Sequence, residues 1–128
     1  MRDLLRRTPC AVLVVLLLPA LSACGRGLDA RRATVCRRAV PALVPRDASV
    51  SLLRVGSGSS ADSIRVDYRL TGGSDASKAR WIVCAFGPGS SLDSITTESG
   101  PISGASVYLL RHYYLDTPEA VAADPAGR

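Results

Sequence analysis

Residues 63–70 read Ser-Ile-Arg-Val-Asp-Tyr-Arg-Leu, an unbroken alternation of polar and apolar side chains. Successive side chains of a strand point to opposite faces, so Ile64, Val66, Tyr68 and Leu70 line one surface while Arg65, Asp67 and Arg69 line the other. A strand that is dry on one side and wet on the other belongs to an antiparallel sheet with one covered face. Glycine-rich turns bracket it, Gly56–Ser60 before and Thr71–Asp75 after, and turns of that length join hairpins.

The same criterion extends the sheet. Residues 49–55 read as a strand before the first turn. Residues 80–86 read as a more buried one, because Trp81, Val83 and Ala85 alternate with Ile82, Cys84 and Phe86 and both sets are apolar. Residues 92–97 suit a fourth strand, with Leu92, Ser94 and Thr96 opposed to Asp93, Ile95 and Thr97, and Gly100-Pro101 ends it. On either side the period becomes helical. Val35, Cys36, Ala39, Val40 and Leu43 share a side from about Asp29 to Val40, with Asp29 suited to cap the start and Pro41 and Pro45 to end or kink the last turn. Ser103 suits the cap of a last helix running to about Leu115, with Val107, Leu110 and Tyr114 as its stripe. The expected class is α+β: a small two-layer sandwich, an antiparallel sheet of three to four strands with an N-terminal and a C-terminal helix on one face. The expected division is a signal peptide over 1–23, a tether over 24–28, the domain over 29–116 and a disordered tail over 117–128, where prolines, small residues and scattered acids offer little to bury.

The first residues carry an address. Arg2, Arg6 and Arg7 precede an eleven-residue apolar run, Ala11 to Leu21, which ends in small residues. Basic segment, short apolar segment and small-residue cut site, in that order, describe a secretory signal peptide. The run is shorter than the about 20 residues that span a bilayer, and Pro19 interrupts it. Leu21-Ser22-Ala23-Cys24 matches a lipobox at every position, so this stretch resembles a bacterial lipoprotein precursor; ordinary cleavage after Ala23 without lipid is the competing reading. The resemblance covers residues 1–24 and says nothing of the domain. It implies cleavage before Cys24, a diacylglyceryl thioether on that cysteine, and attachment to the membrane through lipid. Gly25, where an acid would favour the inner membrane, leans towards the periplasmic face of the outer membrane.

In an exported protein Cys36 and Cys84 remain as one pair, and disulfides persist in such compartments. Their bridge would close a loop of nearly fifty residues, a contribution of roughly 4 kcal/mol by chain entropy. A redox pair would show Cys-x-x-Cys, which is absent, and a zinc site lacks ligands because His112 is the sole histidine.

The formal charge of +5 comes from sixteen basic residues, of which only Lys78 is lysine. Arg26, Arg31, Arg32, Arg37 and Arg38 cluster behind Cys24 and could meet anionic lipid, each contributing about 1 kcal/mol near the surface; a solvated helix face explains them equally. Modest charge and export argue against nucleic acid as a ligand. The glycine-rich segments match neither a P-loop nor a dinucleotide fingerprint. His112 could serve as a base for a serine, with Asp116 nearby, but no Gly-x-Ser-x-Gly elbow exists. No catalytic set, metal set or cofactor motif is expected. Tyr108, Tyr113 and Tyr114 make the last helix's apolar surface wider than a core stripe needs, so they form a candidate partner surface, with cover for the sheet edge of a small domain as the competing reading.

These readings converge on a non-enzymatic cell-envelope lipoprotein, an accessory, scaffold or interaction component that meets an envelope protein. The alternative is a binding module for a peptide, a lipid or a cell-wall fragment.

Overall fold

The computed structural model describes residues 28–72 and 78–127. Chain order is α1 (Ala30–Leu43), β1 (Ser49–Ser57), β2 (Ser63–Thr71), β3 (Ala79–Phe86), β4 (Leu92–Thr97), β5 (Gly100–Pro101), α2 (Gly104–Tyr113) and α3 (Pro118–Ala122). A 3-10 turn at Pro88–Ser90 joins β3 to β4, and another at Pro125–Gly127 follows α3.

The α+β class holds, and the sheet has five strands rather than three to four. It is an antiparallel meander with spatial order β1-β2-β3-β4-β5. The added strand is Gly100–Pro101, expected only as a terminator. It pairs with Thr96 and Thr97 across a two-residue turn, and Gly100 takes φ 118°, open to glycine alone at little cost.

The alternation of β2 appears as expected: Ile64, Val66, Tyr68 and Leu70 are buried. Register aligns Ile64 with Cys84 and Val66 with Ile82, and Cys84 with Ile95, so one buried face runs across three strands. That face forms a single cluster with Cys36, Ala39 and Val40 of α1 and with Val107 and Leu110 of α2. α1 packs across β1, β2 and β3, and α2 against β4. The other face of β3 is only partly covered, and there the Arg65 guanidinium lies 4.8 Å from the Trp81 ring centroid.

Strict alternation fails twice, each time at an inserted residue. Leu52 opposes Tyr68 but Arg54 opposes Asp67, which leaves Leu53 unpaired and exposed on the edge strand β1. Phe86 opposes Leu92 while Ala85 opposes Ser94, so Asp93 is extra. The insertion brings Leu92 and Ile95 to the same buried face, although they are expected on opposite ones.

Asp29 caps α1, its carboxylate accepting from the Arg31 and Arg32 N–H groups at 3.0 Å. The helix continues three residues past Val40 because it absorbs Pro41 in its last turn. It stops before Pro45, which keeps Val44 extended. Ser103 caps α2 through the Ser106 N–H. α2 ends at Tyr113, short of Leu115, whose N–H reaches back to the Leu110 carbonyl and whose side chain is buried.

The expected disordered tail is the largest correction. Thr117 caps α3 through the Ala120 N–H and Pro118 occupies its first turn. Ala120, Asp124 and Pro125 are buried, and the segment packs on α1 and β1. The acid that suggested solvent exposure is instead the residue that fastens the segment down.

Candidate functional site

Cys24 and Arg26 lie outside the described residues. Cys36 and Cys84 are bridged, joining α1 to β3 with S–S 2.05 Å and Cα–Cα 5.8 Å. Both are wholly buried within the core cluster, so the bridge ties the helix to the central strand.

The described arginines of the basic cluster have separate environments. Arg32 donates to Asp62 at 3.0 Å, lies 3.7 Å from Asp29, and extends over the Phe86 ring at 5.6 Å. Arg37 and Arg38 both turn to Asp124, at 2.6 and 3.2 Å. Only Arg31 makes no side-chain ion pair among the described residues and is exposed. The cluster is therefore mostly occupied within the domain rather than presented as one positive face.

Asp124 is the residue that sequence reasoning missed. Its carboxylate also accepts the Ala126 N–H at 3.0 Å and a second bond from Arg37 Nη2 at 3.0 Å. Burial pushes its carboxyl up, but the hydrogen bonds from Arg37, Ala126 and Arg38, with the Arg37 charge, outweigh burial and hold it below the usual carboxylate range. The Thr-Pro-Glu start of α3 was a readable cap-and-first-turn signal; the destination of Asp124 had none.

The aromatic helix divides. Tyr108 and Tyr113 are 49% and 69% exposed, and Leu109 between them is 57% exposed. Tyr114 instead packs against the core cluster. Below the exposed patch an open apolar groove of about 580 Å³ runs between the end of α1 and α2, lined in part by Leu43, Ile102, Leu109, Tyr113 and Tyr114. His112 sits on the outer side of α2 with its ring 4.2 Å from that of Tyr108, one turn away. The exposed imidazole is tilted against the Tyr108 ring and accepts from Arg111 Nε at 3.4 Å, and among the described residues no serine hydroxyl is a hydrogen-bond partner of it.

Among the described residues no three His, Cys, Asp or Glu side chains converge as metal ligands, and no helix is long and apolar enough to cross a membrane. Comparison with family models, with curated proteins and with solved structures finds no match. Any functional reading of the chain rests on its own geometry.

Proposed function

We propose that this chain is a non-enzymatic, lipid-anchored component of the bacterial cell envelope that holds a protein partner beside the membrane. In this reading Cys24 carries the lipid, Gly25 directs it towards the outer membrane, and both helices cover one face of the sheet as a two-layer sandwich. The carrying observation is the exposed strip Tyr108, Leu109 and Tyr113 on α2 above the apolar groove. Aromatic side chains of this kind bury large area at small entropic cost and anchor interface centres. α1 begins six residues after Cys24, so a short tether would keep the domain near the lipid surface.

The test has two independent parts. Intact mass of membrane-extracted protein should show a chain beginning at Cys24 with added acyl mass; an unacylated, soluble chain would remove the anchor. A photocrosslinking residue at position 109 in living cells should give one discrete adduct that disappears with Tyr113→Ser, whereas the same probe at position 54 should give none. Equal labelling at both positions would remove the docking surface.

The groove itself favours the second reading, a binding module for a small apolar ligand, because its volume falls in the range of ligand sites. Native mass spectrometry of the purified protein, with Leu109→Asp as the control, separates the two: a retained small molecule lost in the variant supports the binding module.

A further inference from the structure

Two arginines that have no carboxylate partner among the described residues line one cleft of about 270 Å³ between the first turn of α1, the Pro88–Ser90 turn and the end of α2. Its lining includes Arg31, Ser90, Ser91, Arg111 and Asp116. Arg111 is held in place by its own donors: Nη1 reaches the Ser91 hydroxyl at 3.3 Å and the Leu92 carbonyl at 3.0 Å, and Nε reaches His112. Among the described residues its Nη2 donates to nothing, and neither Arg111 nor Arg31 is in an ion pair. Arg32, Arg37, Arg38 and Arg65 are all paired with carboxylates. Asp116 is the single carboxylate of the lining, against two full positive charges.

The loop between them is shaped at a cost. Ser90 takes φ 61°, the left-handed region that residues other than glycine seldom enter. Arg32 Nε donates to its hydroxyl at 3.3 Å, fastening the strained turn from the α1 side while Asp29 and Asp62 neutralise that arginine. Strain held in place beside unpaired charge is where pre-organised sites are found.

We propose that this cleft binds a phosphoryl oxyanion, with Arg31 and Arg111 gripping it from opposite walls and the Ser91 hydroxyl donating a third contact. A carboxylate is satisfied by one guanidinium fork, whereas a phosphoryl group offers oxygens in several directions and suits donors from separate elements. The volume accommodates a phosphate with a small substituent, which the headgroup of an anionic phospholipid and a free phosphate ester both supply. The inference stands whether or not Cys24 is acylated.

The experiment uses the full chain, nitrogen-15 labelled, in detergent micelles, and follows the arginine Nε–H resonances. Inorganic phosphate should move the Arg31 and Arg111 signals together and saturably, leaving Arg37 and Arg38 in place, while chloride at equal ionic strength should not. Arg31→Gln, at an exposed position, should weaken phosphate binding about tenfold, the loss of one charge-assisted contact. Arg111→Gln should do at least as much. Phosphatidylglycerol mixed into the micelles then identifies the source: movement of the same two signals assigns a lipid headgroup, and their indifference assigns a free ester. Shifts of all arginines in proportion to ionic strength, or phosphate affinity unchanged in Arg31→Gln, would overturn the proposal.

Discussion

Replacing Asp124 with asparagine tests how the C-terminal segment is held. The substitution keeps volume and one acceptor oxygen but removes the charge that faces two guanidiniums. Breaking one side of a fully buried ion pair costs ~3–5 kcal/mol. Here the Asp124 side chain is 9% exposed, but those of Arg37 and Arg38 are 21% and 25% exposed. Water that reaches the arginines offsets part of their lost pairing, which reduces the expected cost to about 2 kcal/mol. Urea denaturation at pH 7, followed by the fluorescence of Trp81, should show that loss, and amide exchange should quicken first over residues 118–127. The pH profile supplies the sign. The folded Asp124 carboxyl lies below its unfolded value, so its contribution is complete above the unfolded value near ~3.9 and is lost as pH falls through the folded one. Native protein and variant should therefore differ by a constant amount near neutrality and converge in acid. A neutral-pH difference under about 0.5 kcal/mol, with exchange over 118–127 unchanged, would refute the ion triad as the fastening.

Three further outcomes are expected. Reducing the Cys36–Cys84 bridge, which spans 48 positions, should lower unfolding free energy by up to ~4 kcal/mol and raise the urea m-value; identical curves with and without reductant would count against it. Gly58→Ala places a Cβ 2.2 Å from Ser63 Oγ and 2.9 Å from Ser63 Cβ, so it should cost about 1–3 kcal/mol in thermal or urea unfolding although residue 58 lies in a turn. Tyr113→Ser should shift stability by less than about 0.5 kcal/mol, because the side chain is mostly exposed, while abolishing the adduct formed by the probe at position 109; a large loss of stability would make Tyr113 structural.

Local signals were legible where one segment's periodicity decides its environment. The β2 alternation placed Ile64, Val66, Tyr68 and Leu70 correctly because a strand's two faces see different solvents. Asp29 and Ser103 were readable as caps because the N–H groups they satisfy lie two or three residues away. The bulges at Leu53 and Asp93 were not, since an inserted residue is defined only against its partner strand. β5 escaped because two residues have no period, and Gly100-Pro101 is as good a stop as a strand.

The arginines show the same division at the candidate site. Sequence grouped Arg31, Arg32, Arg37 and Arg38 by proximity along the chain, and folding separated them. Two went to Asp124, one to Asp29 and Asp62, and one to the cleft it shares with Arg111, eighty residues further on.

By itself the amino-acid sequence determined the α+β class, the half-wet central strand, the starts of α1 and α2 and the single pairing available to Cys36 and Cys84, because each follows from short-range periodicity or from counting. Tertiary structure alone decided that the last residues fold back onto α1 and which arginines remain without a carboxylate. Those outcomes depend on Coulombic partners that can lie 87 positions apart, and charge pairing at that separation leaves no pattern along the chain.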